Sequence, residues 1–195
     1  MINYDLSKVK IIDNYIDDLE LTTVDFESNH WNYNLTNAAN RHLYFPSNRS
    51  GTHRFWYSSL FDRKDDYNVL NNAPKNILSL YEHICHFLLK KKYILHQIQV
   101  NGQGAFQNGT IHQDSQYGDN HYTLMVFINS KWDQKWEGEF QLFDGMDSDA
   151  KLLKSIEFVP GRIIYFDGGI PHKGKAPVNT NIVRKTLVFR IEKIN

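Results

Sequence analysis

The second half of the chain is built from short runs in which apolar and polar residues alternate. From residue 93 onward these runs read, in order, YILHQIQV, YTLMVFIN, GEFQLFD, KSIEFVP, RIIYFD and RKTLVFRIE. Glycine, asparagine, aspartate and proline separate them, as is typical of turns between strands. Many short strands in succession favour a mainly β fold with supporting helices, closed as a β-barrel or jelly roll.

One amphipathic helix is predicted before these strands. It follows the turn-like sequence NNAP, in which Pro74 suits the first helical turn. Its apolar residues recur at the three-, four- and seven-residue spacing of one helical face: Ile77, Leu80, Tyr81, Ile84, Phe87 and Leu88. His83 and His86 lie off this face and Cys85 has no partner cysteine, so the sequence favours a structural role over a metal cluster.

The first seventy residues carry a weaker pattern. The aromatic stretch 41–61, RHLYFPSNRSGTHRFWYSSLF, predicts irregular structure or short strands.

The glycine-rich NGQGAFQNG lacks the spacing of nucleotide-binding loops and predicts a turn. Because the chain has no repeat or long linker, we expect a single domain over residues 1–195. Residues 1–92 would form a helical or irregular support, and residues 93–193 the β core that carries the candidate chemistry.

Charge and cysteine content limit which partners and which cellular compartment we expect for this protein. Lysine plus arginine equals aspartate plus glutamate at 22 each, so no general positive field attracts nucleic acid or an anionic membrane. The N-terminal sequence has no apolar signal-peptide core, and no run reaches membrane-spanning length. The single cysteine, Cys85, excludes an internal disulfide and indicates a reducing compartment. We expect a cytoplasmic protein with no nucleic-acid or membrane partner.

Two histidines and one aspartate form a candidate metal site. The sequence HQD places His112 and Asp114 two residues apart, so in an extended chain both side chains project to the same side. His172, in FDGGIPHKG, follows the predicted strand RIIYFD and is the candidate third ligand. Two imidazoles and one carboxylate on adjacent strands make the facial triad that leaves positions open on Fe(II).

A basic residue twelve positions after the last of these ligands is the candidate anion-binding group. Arg184 opens the strand RKTLVFRIE, and Thr186 shares its face. A guanidinium can hold a carboxylate through two parallel hydrogen bonds, with the threonine hydroxyl assisting. Lys185 is the alternative partner, but alternation places it on the side of the apolar residues of the strand. The metal and Arg184 would then hold opposite ends of one dicarboxylate.

Five segments with candidate roles occur in a fixed order along the chain: HQD, LMVFINSKWDQKWEGEFQLF, FVPGRIIYFDG, PHKG and RKT. In this order they resemble the 2-oxoglutarate- and Fe(II)-dependent oxygenases, in particular the prolyl 4-hydroxylase-like branch. Five linked segments are far more specific than any one of them. The resemblance extends from about residue 93 to residue 193, and the first seventy residues match only loosely.

This resemblance implies a double-stranded β-helix and an oxidoreductase activity. It implies that His112, Asp114 and His172 bind Fe(II), and that Arg184 binds the distal carboxylate of 2-oxoglutarate. The implied dioxygenase reaction uses molecular oxygen, converts 2-oxoglutarate to succinate and hydroxylates a C–H bond, with ascorbate as an expected stimulant. A peptidyl prolyl residue is the implied site of hydroxylation.

Two positions depart from the pattern of the family. Phe127 stands where related hydroxylases often carry a tyrosine whose hydroxyl contacts 2-oxoglutarate. Gln99, on the strand that leads into the site, is the candidate polar substitute.

The substrate and the exact activity leave alternatives open. Four side chains lie in segments that can rim the opening and offer aromatic faces to a proline ring: Trp56, Tyr117, His121 and Trp136. The alternative substrates are a free amino acid or another small metabolite. The alternative activities are a cupin-like metalloprotein that does not use 2-oxoglutarate and a binding module without catalysis. Repair of nucleic acid by the same chemistry is disfavoured by the neutral charge.

Overall fold

The computed structural model describes residues 3–35, 55–65, 69–147 and 149–194, so residues 41–54 of the aromatic stretch lie outside the described residues. The helical segments are a 3-10 turn (Leu6–Lys8), α1 (Asp18–Ser28), α2 (Lys75–His83), a π-helical segment (Ile84–Leu89) and a second 3-10 turn (Gln134–Trp136). The strands are β1 (Lys10–Ile12), β2 (Asn34–Leu35), β3 (Trp56–Arg63), β4 (Val69–Asn71), β5 (Tyr93–Gln103), β6 (His121–Phe127), β7 (Phe140–Phe143), β8 (Leu152–Ile156), β9 (Ile163–Asp167), β10 (His172–Gly174) and β11 (Arg184–Lys193).

Within the described residues the strands form two antiparallel sheets. The main sheet has eight strands in the order β1-β9-β6-β11-β5-β3-β2, with β4 beside β3, and the minor sheet has the order β10-β7-β8. Each of the six runs predicted as strands from residue 93 onward contains a strand, so the mainly β prediction is confirmed. The sequence did not predict β10, because the three residues of this strand are too few to display alternation.

Alternation along β6 and β11 separates two hydrophobic cores. The first core joins one face of these strands to the two helices and contains Leu124, Val126, Leu187, Phe189, Leu21, Val24 and Ile77. The second core joins the other face to the minor sheet and contains Met125, Phe127, Val188, Phe140, Leu142 and Phe158. Because successive side chains of a strand point to opposite faces, polar residues on the second face are enclosed between the two sheets.

The predicted helix differs from its expected face at its C-terminal end. Helix α2 ends at His83 and continues as the π-helical segment. A π-helical turn holds more residues than an α-helical turn, so it rotates the apolar face. Cys85 and Leu89 are buried there, whereas Phe87, expected on the buried face, is 60% exposed. The prediction for Phe87 is therefore wrong.

The first 92 residues supply strands to the main sheet as well as helices. Strand β1 pairs with β9, and β3 pairs with β5. Helix α1 is tied to the sheet by Lys185 of β11, whose Nζ forms an ion pair with Asp25 and donates a hydrogen bond to Ser28 Oγ at 2.8 Å. No helix within the described ranges is long and apolar enough to cross a membrane.

Candidate metal centre

Backbone hydrogen bonds join two segments that lie far apart in the sequence. The N–H of His112 donates to the carbonyl of His172 at 2.9 Å, and the N–H of His172 donates to the carbonyl of His112 at 2.8 Å. The same two segments also pack closely at Gly169, where a Cβ would lie 2.1 Å from the backbone nitrogen of Tyr117. His112 and His172, which are about sixty positions apart in the sequence, are therefore adjacent in the structure.

The ligand atoms of the three predicted residues converge. The Nε2 of His112 lies 3.8 Å from Oδ1 of Asp114, and the Nε2 of His172 lies 3.6 Å from Oδ2. All three ligand atoms lie within 4.8 Å of one another. Donor atoms bound at about 2.0 to 2.2 Å from one cation are up to about 4 Å apart, so small side-chain movements bring all three to one metal.

Each imidazole presents its Nε2 to the centre. The Nδ1 of His112 lies 2.9 Å from the carbonyl of Thr110, and the Nδ1 of His172 lies 2.8 Å from the carbonyl of Ile170. A carbonyl only accepts, so Nδ1 carries the proton and the lone pair of Nε2 is available to a metal. Burial lowers the pKa of His112 and lowers the pKa of His172 to about 4. Both rings are therefore neutral near pH 7, the form that binds metals.

The third ligand, Asp114, is held by two donors. Thr123 Oγ1 donates to Oδ2 at 2.6 Å, and Arg190 Nη2 donates to Oδ1 at 2.7 Å. Burial opposes ionisation, but the charge of Arg190 and the other neighbours outweigh it and hold the pKa of Asp114 well below its usual range. Thr123 and Arg190 were not identified from the sequence, although alternation placed Arg190 on the same face as Arg184.

This set of donors fits Fe(II). Two neutral imidazoles and one ionised carboxylate are the ligands of the facial triad, which leaves coordination positions open to other molecules. The outer contacts of all three side chains orient them as a metal site requires.

Arg184 lies deeper in the same cavity. Its Nη1 donates to Oε1 of Gln103 at 2.8 Å, and its Nε donates to the carbonyl of Gly138 at 2.7 Å. The guanidinium carbon lies 5.3 Å from the ring centroids of both Phe127 and Phe158, and the two rings stack on each other. Phe127 therefore contributes an aromatic wall beside the guanidinium in place of a tyrosine hydroxyl.

One nitrogen of the Arg184 guanidinium still lacks a hydrogen-bond partner among the described residues. This nitrogen, Nη2, is buried. Burial lowers the pKa of Arg184, and the negative charge of Glu139 offsets only part of this effect. An anionic group in the cavity, which has a volume of about 130 Å³, would supply the missing partner. The alternative residue, Lys185, points to the opposite face and pairs with Asp25 of α1.

The two other predicted binding residues, Thr186 and Gln99, also line this cavity. The Nε2 of Gln99 donates to Oδ1 of Asn101 at 2.6 Å. Gln99, Asn101 and Gln103 occupy alternate positions of β5, and all three line the cavity. Gln103, which holds Arg184, was missed from the sequence, although its alternation with Gln99 was an available signal.

Three of the four predicted rim residues lie elsewhere. Trp56 lines a separate cavity. Tyr117 packs edge-on against Tyr4, with ring centroids 4.9 Å apart. Trp136 packs edge-on against a second tryptophan, with ring centroids 5.5 Å apart. None of these three side chains lines the cavity that contains the triad, so the structure does not place them at its rim.

The two sheets enclosing this cavity form the double-stranded β-helix of the 2-oxoglutarate/Fe(II) oxygenases, the fold shared by the prolyl hydroxylase-like branch. The expected resemblance is thus confirmed at the level of the fold. By sequence, no protein-family model and no curated protein matches the chain.

Solved structures show how widely this fold is used. An oxidoreductase of the 2OG-Fe(II) oxygenase family from Burkholderia pseudomallei matches with a TM-score of 0.67 and 16% identity, over 97% of this chain and 88% of that one. A prolyl-4-hydroxylase from Pseudomonas putida matches with a TM-score of 0.64 and 12% identity, over 96% and 95%. SnoN, a non-haem α-ketoglutarate-dependent epimerase from nogalamycin biosynthesis, matches with a TM-score of 0.65 and 10% identity, over 94% and 76%.

Proposed function

We propose that the protein is an Fe(II)- and 2-oxoglutarate-dependent dioxygenase that hydroxylates a C–H bond of its substrate. The observation that carries this proposal is a single cavity lined both by the triad His112, Asp114 and His172 and by Arg184. The buried Nη2 of Arg184 has no partner in the described part of the chain, so the cavity is suited to an anion at the end opposite the triad. A cupin-like activity without 2-oxoglutarate would leave this guanidinium unused.

The proposed reaction consumes one molecule each of substrate, O₂ and 2-oxoglutarate, and it releases hydroxylated substrate, succinate and CO₂. One oxygen atom enters the substrate and the other enters succinate. Fe(II) held by the triad would supply the oxygen chemistry.

The protein's own residues position the reactants. Thr123 keeps the carboxylate of Asp114 in one orientation through its 2.6 Å hydrogen bond. Arg184 offers its free N–H to the distal carboxylate of 2-oxoglutarate. The rings of Phe127 and Phe158 exclude water from this contact, which strengthens a charge-assisted hydrogen bond.

For the substrate, we retain the peptidyl prolyl residue. Its support is the resemblance to the prolyl hydroxylase-like branch, whose fold this chain shares with the enzyme from P. putida. A proline ring is rigid and presents its C–H bonds at a fixed angle, so little conformational entropy is lost on binding.

A second candidate is a small substrate that bears a carboxylate, such as a free amino acid. Arg190 favours it, because this side chain lines the cavity beside Asp114 and is 42% exposed. Its Nε lacks a hydrogen-bond partner among the residues that the structure describes. A guanidinium on the solvent side of the metal centre suits an anionic substrate.

One assay tests both proposals. The protein is reconstituted with Fe(II), incubated in air with 2-oxoglutarate, and supplied with either proline-containing peptides or free amino acids. We expect succinate and singly oxygenated product in equal amounts, read by NMR and mass spectrometry, and neither from the His172→Ala variant. The oxygenase proposal is wrong if the iron-loaded protein neither binds nor consumes 2-oxoglutarate.

The Arg190→Gln variant separates the two substrate classes. If the substrate carries a carboxylate beside Arg190, this variant raises the KM for that substrate by a larger factor than the KM for 2-oxoglutarate, which reports the loss of the contact with Asp114. If only free amino acids gain oxygen, the peptidyl assignment is wrong although the oxygenase proposal stands.

A further inference from the structure

Three more side chains of the types that bind metals lie beside the candidate metal centre. They are His96 on β5, His121 on β6 and Glu192 on β11, and together they form what we call the mouth cluster. The Nε2 of His96 lies 2.9 Å from Oε2 of Glu192, and the Nε2 of His121 lies 3.8 Å from the same oxygen. One ligand atom from each residue lies within 4.8 Å of the others. The mouth cluster therefore repeats the two-imidazole, one-carboxylate composition of the triad.

Three neighbouring strands hold the mouth cluster in place. Strand β11 lies between β5 and β6, and Glu192 stands directly opposite His121. On its other side, the register of β11 with β5 shifts between Arg190 and Ile191, and His96 is the residue left without a partner in that register. A bulge of this kind re-aims a side chain. Here it turns His96 to the face that carries the other two ligands.

The electrostatic surroundings of the mouth cluster favour a cation. The Nδ1 of His121 lies 3.3 Å from Oδ1 of Asp119 and 3.2 Å from its carbonyl, which is the outer contact typical of a metal-bound imidazole. Asp119 and Glu192 together bring two negative charges to two imidazoles. Arg190 lines the same cavity as His96 and His121, and it directs its Nη2 to Asp114 at 2.7 Å.

We infer that the mouth cluster binds a second divalent cation, of the borderline class that takes imidazole and carboxylate ligands, with Zn²⁺ preferred. Zn²⁺ is held by two histidines and a glutamate in known types of site, and it binds nitrogen and oxygen ligands more tightly than Fe(II) does. The side chains of His96, His121 and Glu192 are 32%, 40% and 37% exposed, so the cation can enter from solvent and water can complete its coordination.

The site has a defined position relative to the metal centre. A cavity of about 180 Å³ is lined by His96 and His121 of the mouth cluster together with Asp114, Thr123 and Arg190. The second cation would thus join β5, β6 and β11 next to the metal centre. This inference does not rest on the oxygenase proposal, because it needs no 2-oxoglutarate and no turnover.

Zinc binding is measured in the His172→Ala background, which disables the triad while leaving Asp114 in contact with Arg190. We expect two equivalents of Zn²⁺ in the wild-type protein and one in His172→Ala, measured by calorimetry and by metal analysis after dialysis. Adding His121→Ala removes the remaining equivalent. Adding His86→Ala, an exposed histidine outside the cluster, leaves it in place.

Conservative variants keep the test valid if an alanine variant fails to fold. In the same background, Glu192→Gln lowers zinc affinity by more than about 100-fold, and Asp119→Asn lowers it by about 10-fold because only an outer contact is lost. The Tm of each variant is measured without metal, and zinc affinities are compared only among variants whose Tm values agree. The inference is overturned if His172→Ala binds no zinc, or if its equivalent survives unchanged in Glu192→Gln. The first result would leave His96 and Glu192 as a simple ion pair.

Discussion

The substitution Arg184→Gln tests the anion-binding end of the cavity. Arg184 donates to Gln103 and to Gly138, and its third position, Nη2, is the one proposed to hold 2-oxoglutarate. Truncating one partner of a buried, charge-assisted pair costs about 2 to 5 kcal/mol, which corresponds to a loss of about 30-fold to about 5,000-fold in affinity. We expect the KM for 2-oxoglutarate to rise by this factor while one metal per triad is retained.

Thermal unfolding provides an independent measure of the same contact. At 100 times its dissociation constant, a ligand stabilises the folded state by about 2.7 kcal/mol, which raises the Tm of a chain of this size by about 5 to 10 °C. With manganese in the triad and no oxygen present, 2-oxoglutarate at this concentration should raise the Tm of the wild-type protein by this amount. It should stabilise Arg184→Gln by about 0.9 kcal/mol or less, which corresponds to a rise of at most about 3 °C. Without ligand the two Tm values should lie close together, because the variant also removes a buried charge that has no carboxylate partner.

The matched control is Arg162→Gln. Arg162 already binds a carboxylate, because both its Nε and its Nη2 donate to Asp13, but it lies outside the cavity. Its KM for 2-oxoglutarate should equal that of the wild-type protein. The reasoning is refuted if folded Arg184→Gln binds 2-oxoglutarate within about threefold of the wild-type affinity, since the smallest expected cost is about 2 kcal/mol. If Lys185→Gln lowers the affinity for 2-oxoglutarate strongly and Arg184→Gln does not, Lys185 is the residue that binds the carboxylate.

Two further predictions concern the metal ligands. Thr123→Val removes the hydroxyl that orients Asp114, so cobalt affinity at the triad should fall by about 10- to 100-fold in a metal titration, and an unchanged affinity would contradict the role of this contact. Two imidazoles with an ordinary pKa of about 6.5 would lose about 16-fold in metal affinity from pH 8 to pH 6, because protonation competes with the metal. Since burial lowers the pKa of His112 and lowers that of His172 to about 4, cobalt affinity should stay level over this range, in a His121→Ala protein that reports only the triad.

Strand positions and shared faces could be predicted because they depend on a local repeat of two residues. The alternation in RKTLVFRIE placed Arg184 with Thr186 and opposite Lys185, and the structure has them on those faces. Motif order likewise selected His112 and His172 as partners although about sixty positions separate them. Their roles as iron ligands remain predictions for the metal titrations.

Contacts between distant segments could not be predicted from local pattern. The π-helical segment after α2 exposes Phe87, and one extra residue per turn leaves no mark in a helical repeat. Two of the aromatic residues expected at the rim pack against other rings: Tyr117 against Tyr4, and Trp136 against Trp132. Which side chain packs against which depends on how distant segments are arranged in the folded protein.

The sequence by itself therefore determined the β-rich architecture and the faces of its strands, because alternation is a property of neighbouring residues. It also indicated the candidate ligands, through the order of motifs along the chain. Only the tertiary structure decided how those faces are completed. The contact of Gln103 with Arg184 requires two strands in register. The mouth cluster requires a bulge that turns His96 towards Glu192 across a strand pair. Both arise from pairing between residues more than eighty positions apart, which no local pattern encodes.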